Sequence, residues 1–429
     1  MLDNLFRLGE NGTTVRTEIV AGATTFLTMA YIAFVNPQIL AAAGMDKGAV
    51  FVATCLASAL ATLFMALYAN YPLALAPGMG LNAYFTYSVV LGLHYPWQVA
   101  LGAVFISGCL FLLLSVTRVR EWIIDTIPLS QKIAISAGIG LFLGIIALKD
   151  AGIVVASPAT LVTLGNLKAP ATLLATAGFL VMVALDRRQV PGAIIIAVLG
   201  TAFAGILLHV SPFAGIASLP PSLAPTFLAL DLRGALDIGV ATIVFVFLFV
   251  DLFDNTGTLV GVAYRAGLVD ADGHIPRLGR VLVVDSAASI AGSLLGTSTV
   301  TSYIESAAGV RAGGRTGLTG VVVAVLFLLT LFCAPLAESV PEYATAPALF
   351  FVACLMARGF SELDWSDVTE YAPAVVTALT MPLTFSIANG IAFGFITYAA
   401  VKLLAWRWRE ANPSLLALAA IFVVKYAFF

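Results

Sequence analysis

An all-α polytopic membrane protein is the fold class this sequence predicts, and three observations carry the prediction. Of 429 residues, 61% are hydrophobic and only 10% are Asp, Glu, Lys or Arg, whereas soluble domains carry roughly 45–50% apolar and about 25% charged residues. Apolar stretches suited to crossing a bilayer, about 20 helical residues for roughly 30 Å, recur from end to end. Basic residues gather at alternate ends of those stretches, as the positive-inside rule requires. A soluble globule must present a charged skin, but in lipid the outward faces of helices stay as apolar as their cores.

About fourteen segments follow from the hydropathy, near 18–44, 49–69, 77–91, 97–117, 129–148, 169–186, 191–209, 235–263, 279–295, 297–310, 317–337, 343–357, 367–387 and 389–406. With the N-terminus in the cytoplasm, the inner side collects Arg7, Arg16, Arg118, Arg120, Lys132, Arg187, Arg188, Arg265, Arg277, Arg280, Arg311, Arg315, Arg358, Lys402, Arg407 and Arg409. The outer side receives only Lys47, Lys149, Lys168 and Arg233, with Lys425 left in the tail. An even number of crossings then places both termini in the cytoplasm, in the cell's inner (plasma) membrane. The stretch from Leu415 to Phe429 would reach only about 22 Å as a helix and is expected to lie at the interface.

Other readings of the chain are excluded on its composition and motifs. The N-terminal MLDNLFRLGENGTTVRTEIVAG has no basic start and no Ala-x-Ala site, so it is not read as a signal peptide. A net charge of −2 gives no field for nucleic acid. Cys55, Cys109, Cys333 and Cys354 have no CxxC spacing and read as small buried hydrophobes, without metal or disulfide. His94, His209 and His274 are far apart, and no HExxH, GxSxG or Walker pattern occurs, so neither an enzyme nor a cofactor is expected. Gly78-Met79-Gly80-Leu81-Asn82-Ala83 fits GxGxxA only by chance, inside a membrane segment. Gly140 with Gly144, and Gly390 with Gly394, read as close helix packing.

The third and tenth segments are short and oddly composed. One opens with Pro77-Gly78-Met79-Gly80-Leu81-Asn82-Ala83-Tyr84-Phe85, the other with Gly296-Thr297-Ser298-Thr299-Val300-Thr301-Ser302-Tyr303-Ile304-Glu305. Irregular backbone at membrane depth is tolerated where protein or a cavity surrounds it, so both read as broken elements. The first and eighth segments start about 217 residues apart and the broken pair about 220 apart, the mark of an internal repeat. Seven segments per half invert the second half, giving repeats over 1–211 and 212–429 with a site between the broken elements.

Acids are rare in the apolar segments, and the exceptions cluster. Asp251 and Asp254 lie three apart in VFVFLFVDLFDNTGTLVG, and Glu305 follows the tenth segment's break. A carboxylate at membrane depth costs about 3 kcal/mol even on lenient scales and normally faces a cavity or a partner. Asp251 and Glu305 are therefore candidate ligand and proton sites. Asp254 is equally readable as a partner of backbone or Thr hydroxyls, and Asp285 as a structural partner. Asn82 offers donors and an acceptor, or else caps the broken backbone. Tyr84, Phe85 and Tyr303 could stack on a planar ligand or simply pack, and Ala83 and Ile304 adjoin them.

These residues sit in motifs that resemble the AzgA-type purine permeases of the nucleobase/ascorbate transporter group, which share the uracil-permease fold. The motifs are EIVAGATTFLTMAYIAFVNPQIL, PLALAPGMGLNAYF, FVDLFDNTGTLVG and GTSTVTSYIESAAGVRAGGRTGL, in order across nearly the whole chain. The resemblance implies a core of segments one to four and eight to eleven, a gate of five to seven and twelve to fourteen, and a homodimer. It implies proton-driven import of purine nucleobases such as guanine, hypoxanthine, xanthine or adenine, with Asn82, Asp251 and Glu305 holding the base and Asp254 alongside. Carboxylates accept from the ring N–H donors of such a base, while an amide answers its carbonyl or ring nitrogen. The competing expectations are an anion carrier of the same fold, which the acids disfavour, and a membrane protein that binds without transporting.

Overall fold

The computed structural model describes residues 2–117, 127–265, 277–410 and 412–428. Arg118, Arg120 and His274 lie outside them, as do the side chains of Asp254, Arg265 and Lys425. After a short helix over Leu2–Phe6 come α1 (Val15–Met29), capped by Thr14, and α2 (Ile32–Ala41), separated by a break at Ala30 and Tyr31. The helix α3 (Lys47–Phe64), capped by Asp46, runs on into a π turn over Met65–Ala69. The first broken segment is β1 (Leu75–Pro77) followed by α4 (Met79–Ala83) and a π-helical stretch Tyr84–Gly92. Then come α5 (Trp97–Val116) and α6 (Leu129–Asp150), a hairpin of β2 (Val154–Ser157) and β3 (Leu161–Leu164), α7 (Pro170–Arg187) and α8 (Ala193–Leu207).

The second half repeats the plan with α9 (Ile238–Arg265) and α10 (Leu278–Leu295), then the second broken segment, β4 (Val300–Ser302) and α11 (Ser306–Arg311). It continues through α12 (Gly317–Thr330), α13 (Glu342–Ala357), α14 (Val368–Thr384) and α15 (Ile387–Leu404) to a tail helix α16 (Pro413–Phe428). Among the described residues nine helices are long and apolar enough to cross a membrane, and three further apolar helices are shorter. The protein is a multi-pass membrane protein.

Packing divides these helices into two sets. In one, α12 lies on α1 and α3, and α10 on α5 and α3, while in the other α6 packs on α13 and α14, α14 on α15, and α7 on α8. Small residues set the close approaches, as expected of GxxxG pairs. A Cβ on Gly140 would come within 2.7 Å of Met356 Cβ, and one on Gly390 within 2.8 Å of the Thr377 carbonyl oxygen. The second set is tied by Lys402, buried and 2.7 Å from Glu370 and 2.8 Å from Glu410.

Two expectations need correction. The tail runs antiparallel along α15: the Tyr426 hydroxyl donates to Asn389 Oδ1 at 2.7 Å, and the Phe422 and Phe395 rings lie 6.4 Å apart. Leu415, Ala419 and Phe422, spaced one helical face apart, are buried there. The helix therefore lies alongside a membrane helix instead of at the interface, and its last residues return to the level at which α15 begins. Of the cysteines only Cys55 is buried; Cys109 and Cys354 are exposed and Cys333 is intermediate, because apolar side chains of membrane helices face lipid as readily as protein.

Candidate functional site

The two broken segments meet end to end through their strands. β1 and β4 pair antiparallel, Leu75 opposite Ser302 and Pro77 opposite Val300. The pairing is extended by Gly78 N–H to the Thr299 carbonyl and Tyr303 N–H to the Ala74 carbonyl, both 2.9 Å. Two three-residue strands have no further strands to bond, and a bilayer interior offers no water to their free edges. Side chains do that work. The Thr62 hydroxyl answers the Leu75 N–H at 2.9 Å, Ser306 Oγ accepts from Ala74 N–H at 3.0 Å, and Asn255 Oδ1 accepts from Ser302 N–H at 3.0 Å. Ser289 Oγ donates to the Val300 carbonyl at 3.0 Å. The partners come from neighbouring elements, because buried backbone groups need hydrogen bonds wherever a ladder stops. The strands start at residues 75 and 300, so the repeat aligns here at an offset of 225.

Around this junction the predicted residues occupy distinct places. Asn82, on α4 and fully buried, accepts from the Ser298 hydroxyl through Oδ1, so both broken segments contribute to it. Its Nδ2 is buried with no hydrogen-bond partner among the described residues. Asp251, on α9 and 1% exposed, accepts from Asn255 Nδ2 at 2.5 Å and from Ser289 Oγ at 3.4 Å. Asn255 is one helical turn on from Asp251, the spacing at which side chains on a helix meet. One amide therefore binds the acid with its nitrogen and the strand β4 with its oxygen. Ser302 Oγ in turn donates to Asp285 Oδ1 at 3.1 Å.

Glu305 stands at the start of α11, only half-buried, and accepts from the Tyr31 hydroxyl at 2.7 Å. Its neighbour Ile304 is 51% exposed, although both flanking strands are buried. The aromatic candidates lie in packed surroundings in this conformation. Tyr84 meets Phe247 edge to face at 5.0 Å, Tyr303 donates to the Pro77 carbonyl at 2.5 Å, and Ala83 and Phe85 are buried. Asp254 has its backbone on α9, but its side chain is outside the described residues. Sequence reasoning missed Tyr31, Asn255, Ser289 and Ser298. Only Asn255 carried a usable signal, its helical spacing from Asp251.

Two broken segments joined at a buried polar junction inside a helical bundle of two packed sets mark a class of protein: the polytopic membrane permeases. The chain belongs to the Permease family, which its residues 16–393 match. It is 49% identical over 428 residues to adenine permease AdeP of Escherichia coli, covering 100% of this chain and 96% of that one. Identity to guanine/hypoxanthine permease PbuO of Bacillus subtilis is 44% over 431 residues, covering 98% of this chain and 99% of that one. Such relatives are transporters and not enzymes. Among solved structures, the transmembrane domain of the cyanobacterial bicarbonate transporter BicA has the same fold, with a TM-score of 0.63 at 19% identity, covering 88% of this chain and 97% of that one.

Proposed function

We propose that this protein imports purine nucleobases across the plasma membrane by proton symport. The observation that carries the proposal is the donor and acceptor set at the β1–β4 junction. Asp251 and Glu305 supply carboxylate acceptors, and Asn82 supplies a buried amide donor with no protein partner among the described residues. A purine base presents ring N–H donors beside a carbonyl or ring-nitrogen acceptor, the complement of that set. Adenine permease AdeP and guanine/hypoxanthine permease PbuO, related over nearly the full chain, support the purine class, and the higher identity to AdeP makes adenine the first base to test.

Proton coupling rests on the same acids. A carboxyl group that meets each side in turn can take up a proton on one side and release it on the other. We assign Asn82, Asp251 and Glu305 as base contacts with Ala83, Tyr84, Phe85, Tyr303 and Ile304 around them. Asp251, Asp254 and Glu305 are assigned as the proton-carrying groups. Segments one to four and eight to eleven form the core, the remaining segments form the gate, and the halves divide near residue 211. Rocking of the gate against the core exposes the junction to each side in turn. The N-terminus lies in the cytoplasm, as its basic flank requires, and the working unit is a homodimer.

The test is uptake of labelled adenine and hypoxanthine into proteoliposomes, competed by guanine, xanthine, uracil, sulfate and bicarbonate. Competition by purines with indifference to the anions is expected. Competition by bicarbonate or sulfate would instead favour an anion carrier, and binding without uptake would leave only a binding protein.

A further inference from the structure

We infer that Tyr31 is a positioning residue for Glu305; the inference rests on the reading of Glu305 as a base contact. Tyr31 sits in the break between α1 and α2 and is fully buried, whereas the residue it bonds is half-buried and adjoins the half-exposed Ile304. Its hydroxyl donates to Glu305 Oε1 at 2.7 Å. The first segment thus holds the side chain of Glu305.

The chemistry of that contact is one-sided. An ionised carboxylate only accepts hydrogen bonds, so the phenol must donate, and each carboxylate oxygen still has a second acceptor site. Glu305 has three side-chain torsions to order and stands at the start of α11, just after a three-residue strand. A donor fixed in packed protein selects one of its rotamers. The ordering is then complete before the base arrives, which removes part of the entropic cost of binding. Tyr31 touches no base in this arrangement; it works through Glu305.

The experiment is a double-mutant cycle of Tyr31→Phe and Glu305→Gln on the purified full chain, with adenine and hypoxanthine affinity read by calorimetry and thermal melting read in parallel. Tyr31→Phe removes only the hydroxyl, so melting should stay close to wild type while affinity falls about tenfold. In the Glu305→Gln background the same change should cost no more than twofold, because residues that act through one another are not additive. Equal losses in both backgrounds would overturn the inference and leave Tyr31 a packing residue. So would unchanged affinity in Tyr31→Phe. Unchanged affinity in Glu305→Gln alone would instead overturn the reading of Glu305 and the role of Tyr31 together.

Discussion

Replacing Asn255 by Ala should weaken both the site and the fold, and the two losses can be separated. Its amide nitrogen donates to Asp251 Oδ1 at 2.5 Å, and its oxygen accepts from the Ser302 N–H at 3.0 Å. Alanine removes both bonds in a place where Asn255 and Asp251 are buried. An orphaned buried N–H costs about 1–3 kcal/mol, and a hydrogen bond to a charged group contributes about 1.5–3 kcal/mol. The first loss falls on β4 and therefore on stability. The second falls on the orientation of Asp251 and therefore on affinity for the base. Purified Asn255→Ala protein should melt measurably lower than wild type and bind adenine or hypoxanthine at least about tenfold more weakly, which is about 1.4 kcal/mol. Asn255→Asp keeps an acceptor for Ser302 but sets a second carboxyl against Asp251. It should recover melting temperature more fully than affinity. Wild-type melting and affinity in Asn255→Ala would refute the reasoning, since neither bond would then matter.

Three further outcomes follow from the same geometry. Asn82→Ala should reach the membrane yet lose most purine uptake, because the base acceptor then has no donor, a loss of about 1–3 kcal/mol; surface-normalised transport checks it, and near-normal uptake removes Asn82 from the site. Acidifying the outside should stimulate uptake and a protonophore should abolish accumulation, whereas indifference to both would mean facilitated passage without coupling. Lys402 and Arg407 hold the Glu410 carboxyl below the usual carboxylate range. A depressed carboxylate contributes stability above its unfolded pKa of about 4.3 and loses it as pH falls through the lower folded value. Glu410→Gln should therefore melt below wild type at neutral pH, with the gap closing under acid. A gap that persists unchanged in acid would assign the effect to something other than the ionised group.

Much of the architecture was legible because bilayers impose simple rules. Hydrocarbon thickness fixes segment length, and basic residues mark the inner ends. The broken segments were also legible, since Pro77, Gly78 and Gly80 and the run from Gly296 to Ser302 cannot form ordinary lipid-facing helices. The strands inside them were less so: β1 begins at Leu75, two residues before the proline that flagged the break. A three-residue strand has no periodicity to read, and its partner lies more than 200 residues away in the chain. The π-helical stretch from Tyr84 to Gly92 was invisible for the same reason, because its composition is that of any apolar helix. The tail was misjudged on length and Lys425, since nothing local told that Leu415, Ala419 and Phe422 would find a face on α15.

The sequence by itself determined the solvent this protein lives in, the places where its helices break, and the rare acids and amide retained at membrane depth. Those are consequences of cost: a carboxylate or an irregular backbone in hydrocarbon is expensive enough to stand out in a single chain. Only the tertiary structure decided what each of those groups bonds. Asp251 is held by Asn255, Asn82 by Ser298 and Glu305 by Tyr31, and two of these three pairs join residues more than 200 positions apart. Serine, asparagine and tyrosine are unremarkable in a membrane helix until the fold brings a strand edge or a carboxylate within 3 Å, so their roles are set by proximity, which no local pattern encodes.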